Sequence, residues 1–328
     1  MKRETFYRKK FTSPLCSTLL ILAIFFVSED AQAQKFEPIP LDAEAYGESY
    51  TAIADFSDGS YALVQYVFSN AGFGDAKGAC RALVVRPGTK GINSAIRVDK
   101  DEWSYQAQGN VLKVSDCSLS SSGNTTRFMA KTEDATIELS LQKKPRAIKA
   151  PGHRVKVNKE EFYESEIVIP WAKASANITA SGKKSSHKGM GYMDHSRSNT
   201  RLPKVASRWL RFRGFSGEKK CLVEIRYSPS GKARGWLWEE DSKRPTKLEL
   251  SDLERSEKGD TLSFSFGGNQ VKTSALIYRY QPAKEWGLLG RLAKPWVGDP
   301  ETRTYRATMT RADGTTTSGI LEQSKITD

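Results

Sequence analysis

The residues best equipped for chemistry stand side by side at Asp194 and His195, inside a stretch, Gly189–Phe215, that also carries Trp209, Arg211, Arg213 and Phe215. An aspartate next to a histidine is raw material for general acid–base catalysis, provided a dry pocket tunes their pKa values. In that reading Asp194 donates a proton or orients His195, and His195 handles the proton of a water. A second reading makes Asp194 a counter-charge. Arginine buried beside tryptophan needs a carboxylate partner or bears a large desolvation cost. Asp194, Glu224 and Glu322 are the carboxylates available to Arg211 and Arg213. On a strand, Asp194 and His195 would point to opposite faces; on a loop they could converge. Gly189 and Gly191 favour a loop for the first half of the stretch. The second half alternates, with Trp209, Arg211, Arg213 and Phe215 on one face of a strand and Leu210 and Phe212 on the other.

Other catalytic templates fail. The histidines are His153, His187 and His195, without a His-x-x-x-His or Glu-x-x-His spacing. No Gly-x-Ser-x-Gly marks a nucleophile elbow. Gly72, Gly74 and Gly78 lack the spacing of a phosphate-binding loop. Neither Cys-x-x-Cys nor a zinc-like spacing occurs. The expectation is therefore no cofactor and no metal.

The elements that must position these residues are short strands. Tyr61–Ser69 lies between Asp58-Gly59 and Asn70-Ala71-Gly72, and Cys80–Val85 stops at Arg86-Pro87-Gly88. Trp103–Gln108 and Val111–Ser115 flank the hairpin signal Gly109-Asn110. In Thr136–Gln142, Ile137, Leu139 and Leu141 alternate with polar residues, giving one face in and one face out. Further strands fall at Ile167–Ile169, Ala174–Ala180, Cys221–Tyr227, Thr261–Phe266, Ala275–Tyr280, Thr302–Thr310 and Thr317–Glu322. Trp286–Trp296 breaks the pattern, with Leu288, Leu289 and Leu292 at the spacing of a short amphipathic helix. Many strands with regular turn signals predict an all-β protein, and about 300 residues exceed one small barrel. Two β-barrel domains follow, at 34–200 and 201–328. Trp236, Trp238, Phe264 and Phe266 are expected to face a pocket for an apolar ligand.

The first 33 residues read as an export signal: a basic head, an apolar run over Leu15–Val27, and the small-x-small pattern Ala31-Gln32-Ala33. A mature chain starting near Gln34 would be periplasmic or secreted. It keeps Cys80, Cys117 and Cys221. One disulfide, Cys80–Cys117, and three buried free thiols are both open. The formal net charge is +13, and Lys183–Lys220 holds eleven Lys/Arg against Asp194 and Glu218. A second basic run covers Lys143–Lys159. Such patches attract polyanions. In an exported protein an anionic membrane surface is the expected partner, ahead of nucleic acid; the alternative is an ordinary solvated basic surface.

Several of these segments resemble one known group. Val67–Gly74 looks like the early strand and turn of the survival-factor proteins. Gly189-x-Gly-Tyr-x-Asp-His-Ser is similar to the Gly-Tyr-x-Asp-His motif of the AttH-like and carotenoid 1,2-hydratase (hydroxyneurosporene synthase) proteins. Ala206–Phe215 resembles the Ala-x-Arg/Lys-Trp strand that follows, and Ser318–Glu322 their closing Gly-x-x-Glu strand. The resemblance implies a two-domain lipocalin-like (calycin) fold holding a hydrophobic ligand, a lipid or an isoprenoid. Members range from non-enzymatic lipid handling to hydration of isolated double bonds and pericyclic cyclisation. Tyr192, Asp194, His195 and Trp209 match its motif by position. Ser196, Arg197 and Ser198 follow the histidine where the family form continues Asn/Trp-x-Gly.

Overall fold

The computed structural model describes residues 34–70, 75–281 and 300–326. The expected export signal and the expected helix at 286–296 lie outside the described residues. The chain first lays down β1 (Gly47–Phe56), β2 (Tyr61–Ser69), β3 (Lys77–Val85), β4 (Ile92–Val98), β5 (Trp103–Gln106) and β6 (Val111–Val114). It continues with β7 (Cys117–Ser122), β8 (Thr125–Lys131), β9 (Ala135–Leu141), β10 (Arg154–Lys156), β11 (Phe162–Ala180) and β12 (Lys183–Ser198). These twelve strands form one antiparallel sheet in the order β4-β3-β2-β1-β12-β11-β9-β8-β7-β6-β5, with β10 beside β11. The second sheet takes β13 (Arg208–Gly217), β14 (Cys221–Tyr227), β15 (Ala233–Glu239), β16 (Thr246–Lys247), β17 (Glu254–Lys258), β18 (Thr261–Phe266), β19 (Asn269–Tyr280), β20 (Glu301–Thr310) and β21 (Thr316–Lys325). Its order is β16-β15-β14-β13-β21-β20-β19-β18-β17.

The first sheet curls into a nearly closed barrel, and the second into a half-barrel. Closure of the first is visible in its side chains. Cys80 on β3 and Cys117 on β7 are bonded to each other although six strands separate them in the sheet. From β2, Tyr66 donates its hydroxyl proton to the carbonyls of Ser118 and Met129 across the barrel, at 2.6 and 3.0 Å. Residues that alternate inward, such as Tyr50, Ala52, Ala54 and Phe56 on β1, pack into its interior core. The lead-in at 34–46 closes one end, where Phe36 is fully buried against Tyr50 and its amide donates to Asn110.

Two parts of the sequence reading change. Gly189 and Gly191 sit inside β12, a continuous strand, and not in a loop. A Cβ at Gly189 would come within 2.0 Å of the Asp55 carbonyl oxygen, so this glycine allows a close approach between the paired strands β12 and β1. The segments at 167–169 and 174–180 belong to one 19-residue strand, β11, with register shifts around Pro170.

The half-barrel is filled from its concave side by Leu210, Phe212, Val223, Ile225, Leu262, Phe264, Phe266, Tyr305 and Met309. Phe264 and Phe266 stack on each other at 6.1 Å, so they build this core and do not wall a ligand pocket. At one end the core gives way to charge. Glu257 accepts hydrogen bonds from Arg208 (3.1 Å), Arg255 (2.7 Å), Arg303 (3.2 Å), Gln323 (3.2 Å) and Lys325 (2.8 Å). Burial works to raise the Glu257 pKa, but the bonds from Lys325, Gln323 and Arg255 outweigh it and hold the carboxyl down at about 2.

Candidate ligand cavity between the two sheets

The two sheets meet through their outward faces. Ile53, Leu63, Leu83, Ile167, Trp171 and Tyr192 of the first pack on Phe215, Leu222, Trp236, Trp238 and Ile320 of the second. Polar contacts pin the join: Arg306 pairs with Asp55 and donates to the Gly59 carbonyl at 2.7 Å, and the Arg81 guanidinium lies 3.9 Å over the Tyr280 ring. Where the faces diverge, they enclose a cavity of about 330 Å³. That volume is at the small end of ligand pockets, which run from about 300 to 1,000 Å³.

Aromatic rings wall it: Tyr163, Tyr192, Trp209, Trp236, Tyr278 and Tyr280. Charge lies along one side. The alternation of β13 brings Trp209, Arg211 and Arg213 to the cavity side and sends Leu210 and Phe212 into the half-barrel core. Glu224 and Glu322, from the flanking strands β14 and β21, sit directly opposite Arg211 in register. Arg211 donates to Glu224 at 3.3 Å, to Glu322 at 3.1 Å and to the Tyr163 hydroxyl at 3.4 Å. Arg213 reaches Asp194 at 3.5 Å and Glu322 at 3.8 Å, with its guanidinium 4.5 Å over the Tyr192 ring. Asp194 is thus the counter-charge of Arg213, while Arg211 takes Glu224 and Glu322.

Three carboxylates face two guanidiniums here, and the cluster is largely buried, Arg213 most of all. Burial pushes the Asp194 carboxyl above the usual carboxylate range despite Arg213 and Arg211. Burial also works to raise Glu322, but Arg213 and Arg211 outweigh it and hold that carboxyl low. Asp194 is therefore more ready than Glu322 to carry a proton. Among the described residues two buried donors of these side chains make no hydrogen bond: Arg213 Nη1, which keeps the 3.8 Å ion pair to Glu322, and Trp209 Nε1. A buried donor without a hydrogen bond costs about 1–3 kcal/mol.

His195 does not share this site. Because β12 is a strand, His195 points the other way, into one end of the first barrel. There it bonds Glu48 at 2.8 Å and stacks on Tyr50 at 4.4 Å. Glu48, which the sequence did not single out, also accepts from the Tyr46 hydroxyl and the Ile39 amide, both at 2.9 Å. Burial works to raise the Glu48 pKa, yet the bonds from His195, Ile39 and Tyr46 hold it below its ordinary value. Asp194 and His195 therefore do not form one acid–base pair, and the reason is the two-residue period of the strand. Of the other aromatic candidates, Tyr192, Trp209 and Trp236 line the cavity. Trp238 instead packs on Trp171 at 5.1 Å in the apolar part of the join.

Solved structures of other proteins share this fold. A candidate AttH from Nitrosomonas europaea superposes with a TM-score of 0.62 over 86% of this chain and 93% of its own, at 12% identity. The fold is that of the lipocalin-like AttH group. Kievitone hydratase from Nectria haematococca matches at a TM-score of 0.57 and 11% identity, over 92% of this chain and 95% of that one. CghA matches at 0.57 and 10% identity, over 91% and 96%. CghA solved with Sch210972 matches at 0.54 and 12%, over 90% and 95%. No protein-family model and no curated protein matches the sequence.

Proposed function

We propose that this protein binds a hydrophobic small molecule, a lipid or isoprenoid-like compound with at least one oxygen acceptor, in the cavity between its sheets. The observation that carries the reading is the pairing of aromatic walls with the guanidinium donors of Arg211 and Arg213 along one side of the same cavity. The rings contribute apolar burial; the donors fix orientation and select for the oxygen. Native mass spectrometry after mild purification tests this. A co-purifying lipophile that is lost on Trp236→Phe or Arg213→Lys is the expected result, and repeated ligand-free spectra would sink it. Export is part of the same reading, supported by the leader sequence at 1–33 and the Cys80–Cys117 bridge. N-terminal sequencing of the protein from cell fractions checks it: a chain beginning near Gln34 outside the cytoplasm is expected. Docking on an anionic membrane would use lysines such as Lys183, Lys184 and Lys188, and co-sedimentation with acidic lipid vesicles reads it out.

A second reading, favoured by the raised pKa of a cavity-facing acid, is hydration or cyclisation of an isoprenoid-like alkene with Asp194 as the proton donor. The names of two structural neighbours above, a hydratase and CghA with a small molecule, support trying this chemistry. Asp194→Asn should then abolish turnover and leave the melting temperature close to wild type. If the variant instead mainly lowers the melting temperature, Asp194 serves the ion-pair network alone.

A further inference from the structure

We propose that Asp58, His187 and Ser185, at one end of the first barrel, form a second chemical site that transfers acyl groups, with Ser185 as nucleophile toward carboxylic esters. None of the three lines the cavity between the sheets. Ser185 and His187 stand two residues apart on β12, so they share a face. Asp58 comes from the turn between β1 and β2, where Gly59 takes a φ of +83°. That turn is fixed at several points. Asp58 Oδ1 accepts the Ser60 amide at 2.9 Å, and Arg306 of the second sheet holds the Gly59 carbonyl at 2.7 Å.

The remaining oxygen, Asp58 Oδ2, lies 2.7 Å from His187 Nδ1, and His187 Nε2 lies 2.8 Å from Ser185 Oγ. His187 is buried against the Phe56 ring at 5.0 Å, while Ser185 is half-buried and reachable. Burial opposes ionisation of Asp58, but the Ser60 amide and His187 outweigh it and hold its carboxyl below the ordinary range. An ionised carboxylate only accepts, so Nδ1 carries the ring proton, and in the neutral imidazole the Nε2 lone pair faces the serine hydroxyl. Ser185 Oγ also lies 3.4 Å from the Ile178 carbonyl, a longer contact than the one to the imidazole. The order carboxylate, imidazole, hydroxyl is that of an activated nucleophile, which is recognised by geometry and not by sequence position. Arg86 Nη2 donates to Ser185 Oγ at 3.3 Å, which puts a positive charge beside the nucleophile.

The step balances with ester and water alone. Ser185 Oγ bonds to the carbonyl carbon as its proton passes to His187 Nε2. The carbon–oxygen bond to the alcohol breaks, and the departing alkoxide takes that proton. Water then gives a proton to His187 and adds to the acyl-serine, releasing a carboxylic acid and returning the proton to Ser185.

The test treats the full chain with a fluorophosphonate probe, maps the adduct by peptide mass, and follows p-nitrophenyl acetate hydrolysis. One adduct per chain on Ser185 is expected, with none in Ser185→Ala, a change that leaves the Asp58–His187 bond in place. His187→Gln should slow labelling by roughly 10²–10⁴-fold. Where that variant fails to fold, Asp58→Asn at the more exposed turn carries the same expectation. Absence of an adduct, an adduct that persists in Ser185→Ala, or an unchanged labelling rate without His187 or ionised Asp58 overturns the proposal.

Discussion

Replacing Glu257 by glutamine removes the one negative charge on which Arg208, Arg255, Arg303 and Lys325 converge, and keeps the shape of the side chain. The folded carboxyl sits at about 2 against an ordinary 4.5. A shift of that size corresponds to about 3.4 kcal/mol at roughly 1.36 kcal/mol per pKa unit, and screening at this partly solvated end leaves about 2 kcal/mol. Because the folded pKa is depressed, the stabilisation is complete above the unfolded value and fades as pH falls from 4.5 toward 2. The four cations left behind also repel one another; burial, together with the charge of Arg255, already holds the Arg208 pKa below its usual value. Urea unfolding of wild type and Glu257→Gln at a series of pH values from 7 to 3 reads this out. The variant should lose about 2 kcal/mol at pH 7, and the gap should narrow steadily below pH 4.5. A loss under about 0.5 kcal/mol at pH 7, the range of ordinary surface changes, or a gap that ignores pH, would refute the reasoning.

Three further outcomes follow from the same packing. Phe264→Ala should cost about 3–5 kcal/mol in denaturant unfolding without altering ligand retention, whereas Trp236→Phe should change retention at a cost below about 1.5 kcal/mol. Opening the Cys80–Cys117 bridge, which closes a 37-residue separation, should lower unfolding free energy by about 3–4 kcal/mol, measured with and without reductant. Gly189→Ala should cost about 3 kcal/mol or more, read as lost soluble yield and a lower melting temperature, since its methyl group would meet the Asp55 carbonyl.

Strand alternation made much of this fold legible in advance. Ile137, Leu139 and Leu141 point inward, and the two faces of β13 divide as their spacing implies. β1 was hidden because its inward residues include Ala52 and Ala54, too small to mark a strand by pattern, although it lies inside the first sheet between β2 and β12. The site was half legible. Arg211 and Arg213 announced a need for carboxylates, and Glu224, Glu322 and Asp194 were the available ones. Which arginine takes which depends on register with β21, more than a hundred residues away, and no local signal carries that. Asp194 and His195 went astray because two glycines suggested a loop, when in fact they allow a close approach between paired strands. The Phe264–Phe266 strand shows the limit of periodicity. Alternation says that two phenylalanines share a face, but not whether that face meets a core or a ligand.

The use of outward faces for the cavity has a consequence for how this protein can change. Along β13, even-numbered positions such as Leu210 and Phe212 hold the half-barrel together, while Trp209, Arg211 and Arg213 between them shape the cavity. Cavity shape and foldedness are thus written on alternate letters of the same ten-residue word. A lineage can revise one set while leaving the other untouched, so the cavity can be reshaped without reopening either barrel.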